Sequence, residues 1–91
     1  MTIENKKVDL LYNDLTADLY NFYRQSSYIA IDTEAMGLIH GRDRLCLVQL
    51  CNEFKITSCI KIELNPSSSP HLKALLEDDK ITKIFLLDKN S

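Results

Sequence analysis

Two carboxylates one residue apart, in Asp32-Thr33-Glu34, are the sharpest chemical feature of this 91-residue sequence. On a strand, side chains at i and i+2 project to the same side, so the two acids would stand together. Unpaired acids are costly to bury, so such a pair is exposed, matched by a base, or bound to a hard cation. An Asp-x-Glu by itself is a weak signal for metal. Its position strengthens it, because Tyr28-Ile29-Ala30-Ile31 has strand character and ligands of sheet proteins gather at strand ends.

Other side chains each carry a functional and a plain reading. Arg42 and Arg44 flank Asp43 and suit phosphate contact, or a solvated loop with a local ion pair. His40 fits an RNA contact or an exposed loop, and His71 fits the surface better than a ligand role. Tyr12, Tyr20 and Tyr23 can stack on bases or pack at the core and its rim. Cys46, Cys51 and Cys59 are odd in number and form no C-x-x-C pair, which argues for free thiols rather than a disulfide framework or zinc knuckle.

Composition narrows the partners. Eleven basic against 13 acidic residues give a net charge of −2, so nucleic acid cannot be held by bulk positive charge. It would need a local patch or metal ions. Hydrophobic residues make up 45% of the chain, too many for a disordered protein. The longest run of large apolar residues, Ile84–Leu87, is far short of the ~18 needed to span a bilayer. With no signal-peptide-like stretch at the start, the chain is expected to be soluble and cytoplasmic.

The elements that must hold the acids follow from periodicity. Val8–Tyr12 suits an edge strand or a helix lead-in. Asn13 or Asp14 then caps a helix to about Gln25, with Leu15, Leu19 and Phe22 at helical spacing. Tyr28–Asp32 is a strand, and Gly37 and Gly41 bracket a loop through Leu38, Ile39 and His40. Leu45–Cys51 reads as a central strand, apolar on both faces, with a tight Asn52-Glu53 connection. From Lys55 to Leu64 the alternation is clean: Ile56, Ser58, Ile60 and Ile62 share one face.

Asn65–Ser69 is a linker. Ser69-Pro70 then opens a helix with Leu72, Leu75 and Leu76 in one stripe, and Ile81–Leu87 reads as a strand buried on both faces. The expected class is α/β with a mixed sheet: three antiparallel strands, a crossover helix, and one parallel strand. Two helices cannot easily cover both faces of such a sheet, so the sequence reads as the first part of a larger fold.

Tyr28–Cys51, YIAIDTEAMGLIHGRDRLCLVQLC, closely resembles the first active-site motif and following strand of the ribonuclease D family. That family comprises 3'-5' exonucleases with four metal-binding acids on a ribonuclease H-like fold. Pro70–Phe85, PHLKALLEDDKITKIF, resembles the helix and strand before its second motif, and the likeness runs from about Val8 to Phe85. The resemblance implies two Mg²⁺ or Mn²⁺ ions ~3.5–4 Å apart, one forming the attacking hydroxide and the other steadying the leaving 3' oxygen. It assigns Asp32 and Glu34 as the first two acids, both catalytic and metal-binding. Met36, Gly37 and Leu38 become candidate contacts to the 3'-terminal nucleotide, and Arg42 and Arg44 to phosphate.

Two departures from the family pattern stand out. Ala35 occupies a position where relatives often carry a larger Phe or Thr. After Lys83-Ile84-Phe85, relatives continue to a Phe-Asp whose aspartate is the third ligand, and an ungapped alignment puts Ser91 there. Asp88 falls three residues early and does not inherit the role. The expectation is therefore a ribonuclease H-like domain truncated after its fourth core strand, an RNA 3'-end exonuclease inactive by itself. The alternatives are a non-catalytic module that binds RNA or protein, self-associating through the exposed last strand, and a decaying gene product.

Overall fold

A computed structural model describes residues 8–39, 43–63 and 69–86. In order along the chain these form β1 (Val8–Tyr12), α1 (Ala17–Tyr23), β2 (Tyr28–Ile39), β3 (Asp43–Asn52), β4 (Thr57–Glu63), α2 (Pro70–Leu76) and β5 (Thr82–Phe85). The strands make one five-stranded mixed sheet in the order β1-β4-β3-β2-β5. β2, β3 and β4 are the expected antiparallel meander, and β5 returns after α2 to pair parallel with β2. This is an α/β architecture consistent with part of a ribonuclease H-like fold. Val8–Tyr12 turns out to be a fifth strand, paired parallel to β4.

Both helices pack on one face of the sheet. Ile29 and Ile31 of β2, Val48 and Leu50 of β3, and Ile60 and Ile62 of β4 meet Leu15, Tyr23, Leu72, Leu75 and Ile81 in a single buried cluster. Tyr23 is completely buried, and its hydroxyl hydrogen-bonds the Ser58 Oγ at 2.8 Å and donates to the Ile56 carbonyl. Burial pushes the Tyr23 phenol up to about 12, so it stays neutral, as a buried hydroxyl must. Of the tyrosines weighed for base stacking, Tyr12 stands well exposed, while Tyr20 packs at the rim with its ring 5.4 Å from that of His71.

No described helix covers the opposite face. Cross-strand registers put Ala30, Asp32 and Glu34 of β2 on it with Leu47, Gln49 and Cys51 of β3, and Thr57, Cys59 and Lys61 of β4. β1 extends it with Val8, Leu10 and Tyr12, which are 50, 59 and 68% exposed. The expected cover on both faces of the last strand is therefore absent among the described residues. β5 lies at the sheet edge, with Ile84, Phe85 and Leu86 all exposed. A run of apolar residues signals a strand buried on both faces only if other elements exist to bury it.

Three local expectations change. Residues Gly37 to Ile39 are not a loop but continue β2 against β3, as far as the Ile39↔Asp43 pair. α1 is capped by Thr16, whose Oγ1 accepts from the Leu19 N–H at 3.1 Å. Asp14 instead caps α2: its carboxylate accepts the N–H groups of His71 at 3.0 Å and Leu72 at 2.8 Å, and meets His71 Nδ1 at 3.0 Å. Ser69 makes no side-chain cap; its hydroxyl donates to the Asn13 carbonyl. Asp14 competes better because a carboxylate forms stronger, charge-assisted bonds to the free amides of a helix start.

That cap has a testable consequence. Burial pushes the Asp14 carboxyl up, but the Leu72, His71 and Leu15 amides and the His71 charge together hold it below the usual range. A lowered carboxyl contributes stability above its unfolded-state value, lost as pH falls through its folded value. Asp14→Ala is therefore expected to cost ~1–2 kcal/mol at neutral pH. The gap to the wild type should narrow steadily as thermal melts are repeated toward pH 3.

The turn from β3 to β4 is set by Asn52. Its Oδ1 accepts from the Phe54 and Ile56 amides, at 3.0 and 3.1 Å, and its Nδ2 donates to Ser26 Oγ. Lys55 takes the left-handed conformation, φ 63°, that glycine would adopt more cheaply. Glu53 clamps the start of β2, its carboxylate accepting the Ser27 N–H at 2.9 and 3.0 Å. Those backbone donors lower its pKa. The three cysteines are free and half-buried.

Candidate active site

The alternation of β2 sends Ile29 and Ile31 into the core and Asp32 and Glu34 to the open face, both exposed. Strong burial of the two isoleucines is what fixes this orientation, since a one-residue slip would bury both acids. On the other side β5 reaches Phe85, paired with Ile31, and the Leu86 N–H donates to the Ile31 carbonyl at 2.9 Å. Asp32 and Glu34 therefore lie just beyond the last β2–β5 pair, Ile31↔Phe85.

On the β3 side, Asp32 stands opposite Gln49 and Glu34 opposite Leu47. Among the described residues no basic side chain directly faces either acid. Lys61 is one strand further out, opposite Leu47, with its Nζ 5.9 Å from the Tyr12 ring centroid. Two adjacent carboxylates present hard oxygen donors and concentrated negative charge, which suits Mg²⁺ or Mn²⁺. Among the described residues no group of three or more His, Cys, Asp or Glu side chains comes together. The pair is a partial donor set.

Directly after Glu34 the pairing shifts. Between the Ala35↔Cys46 and Gly37↔Leu45 pairs, β2 carries one more residue than β3, a β-bulge. Bulges bend a strand and increase its twist, and they recur beside active sites. The backbones of Met36, Gly37 and Leu38 lie at and beyond this bulge, with Leu38 paired to Arg44. Met36–Leu38 and Arg44 are thus brought to the same end of the sheet as the acids. Arg42, His40 and Asp88 lie outside the described residues. The other histidine, His71, belongs to the Asp14 brace and is remote from the acids in register.

Gln49 escaped the sequence reading, which took Leu45–Cys51 as apolar on both faces. The signal was present, as the single amide in an otherwise apolar stretch, but only the register reveals what it faces.

The chain belongs to the 3'-5' exonuclease family, whose profile matches residues 10–88. Among solved structures it is similar to a nuclease in its apo form, at 36% identity and a TM-score of 0.69, over 86% of this chain and 37% of that one. It is similar to Brucella melitensis NrnC with bound Mg²⁺, at 41% identity and a TM-score of 0.66, over 87% of this chain and 38% of that one. NrnC bound to pGG gives 40% identity and a TM-score of 0.67, over 89% and 38%. The chain thus spans little more than a third of the length of these structures. No curated protein matches it. No helix of the described residues is long and apolar enough to cross a membrane.

Proposed function

We propose that this chain supplies the first two metal-binding acids of a ribonuclease D-like, RNA-directed 3'-5' exonuclease site. The observation that carries the reading is the exposed, same-face placement of Asp32 and Glu34 beyond the end of β5, within a 3'-5' exonuclease match. Asp32 and Glu34 would hold Mg²⁺ or Mn²⁺ through their carboxylate oxygens. When bound, two such ions supply a hydroxide nucleophile near neutral pH and stabilise the leaving 3' oxygen. Met36, Gly37 and Leu38 would line the 3'-terminal nucleotide beside the bulge, and Arg42 and Arg44 would meet phosphate. RNA as substrate draws on the pGG-bound relative, and the metal draws on the Mg²⁺-bound one.

Two carboxylates leave most coordination positions of two ions to water, so these 91 residues alone are read as lacking turnover. A second reading is favoured by the partial donor set: a module that binds RNA or protein without cutting, and that self-associates through the exposed β5 edge. Cytoplasmic residence accords with three unpaired cysteines.

The test is incubation with 5'-labelled single-stranded RNA and Mn²⁺. The chain alone is expected to leave the RNA intact. Joined in place of the matching part of NrnC, it is expected to shorten the RNA from the 3' end, with Asp32→Asn reducing the rate by ~10²-fold or more. Trimming by the chimera that is indifferent to Asp32→Asn would sink the proposed role. Binding of RNA by the chain in EDTA, together with an inert chimera, would favour the second reading.

A further inference from the structure

We propose that Gln49 is a positioning residue for the metal-binding carboxylates, its side-chain amide turning to hydrogen-bond Asp32 and orient it when the cation binds. The inference rests on the reading of Asp32 and Glu34 as metal ligands. It starts from the register: Asp32 and Gln49 are directly opposed on β2 and β3, on the open face, and both are exposed. Directly opposed antiparallel residues have Cβ atoms ~4.5–5.5 Å apart, and diagonal neighbours remain within reach of long side chains. No hydrogen bond joins the Gln49 amide to either acid in this structure, and the register alone brings them together: from position 49 a glutamine can reach Asp32 directly and Glu34 diagonally.

The surroundings single it out. Gln49 is flanked along its own face by Leu47 and Cys51, and across the sheet by Cys59. In a strand segment whose other members from Leu45 to Cys51 are apolar or thiol, the one amide falls opposite the first acid. A carboxamide also fits chemically. Its two N–H donors can fix one carboxylate oxygen while the other stays free for metal, and its carbonyl can accept from a metal-bound water. Being neutral, it neither competes with the cation, as lysine would, nor adds a further anionic ligand. Partners that orient metal ligands in this way typically contribute ~10–100-fold to metal affinity.

The chain has only two glutamines, which makes a clean test. Gln25 lies on the far side of the molecule, its Nε2 donating to the Asn21 carbonyl, and serves as the internal control. In ¹⁵N-labelled protein titrated with Mg²⁺, the side-chain NH₂ resonances of Gln49 are expected to move with the Asp32 and Glu34 backbone amides. Those of Gln25 should stay still. Gln49→Leu keeps the bulk and suits the apolar neighbours. Its melting temperature should match the wild type, while its Mn²⁺ affinity, followed by electron paramagnetic resonance, falls about tenfold.

Response of the Asp32 and Glu34 amides with a motionless Gln49, or unchanged Mn²⁺ affinity in Gln49→Leu, would overturn the positioning role and leave the two-acid site standing. Absence of any Mg²⁺ response, with Asp32→Asn binding Mn²⁺ as the wild type does, would remove the site itself and the inference with it.

Discussion

Leu50→Ala is expected to remove most of the stability of the folded chain. Leu50 is completely buried at the centre of β3, between Ile31 on β2 and Ser58 on β4, beneath the face where both helices pack. Truncating a leucine so placed costs the transfer free energy of the lost carbons and leaves a cavity that rigid neighbours cannot close, ~3–4 kcal/mol together. Domains hold only ~0.05–0.15 kcal/mol per residue, and here both described helices cover the same face of the sheet. In urea the unfolding midpoint should fall by ~2 M, taking a slope of ~1.5 kcal/mol/M. Leu10→Ala is the matched contrast. That leucine is 59% exposed on β1, and its loss should change stability by no more than ~0.5 kcal/mol. Equal effects of the two substitutions would mean that the helix-covered face is not the core.

Asp32→Asn/Glu34→Gln is expected to abolish stabilisation by divalent metal. A cation that binds only the folded chain stabilises it by RT ln(1 + [M]/Kd), about 1.4 kcal/mol at ten times Kd. For a domain of this size that raises the melting temperature by ~6–11 °C. The double variant should show no such rise with Mg²⁺ or Mn²⁺. Its metal-free melting temperature should equal or slightly exceed that of the wild type, because two like charges on one strand face no longer repel. The sign of that second effect separates a lost site from a damaged fold. A variant that melts lower without metal, and still responds to it, would place the cation elsewhere.

Much of the positioning was legible before any coordinates. The Ile29/Ile31 against Asp32/Glu34 alternation orients the acids by local chemistry alone, because burying two isoleucines and exposing two carboxylates admits one register. The antiparallel meander and the crossover through α2 follow from strand lengths and connection lengths in the same way. The motif at Tyr28–Cys51 carried the family, which the match over residues 10–88 bears out.

What remained hidden depends on partners distant in sequence. Asp14 looked like the cap of the helix beside it, yet it caps α2, from a position 57 residues away from His71 in the chain. Helical caps are chosen by which carboxylate tertiary packing brings to the free amides, and spacing along the chain cannot report that. The bulge after Glu34 turned a glycine-bracketed segment into paired strand, since glycine tolerates a bulge as readily as a loop. Ile81–Leu87 carried the pattern of a buried strand, but exposure is a property of the surrounding elements, and both described helices lie on one face. Gln49 differs from an ordinary surface amide only by the strand that pairs with it. The sequence by itself determined the antiparallel meander, the parallel last strand and the face the acids take. The tertiary structure decided what stands across from those acids, because cross-strand neighbours are set by register between segments that local propensity does not couple.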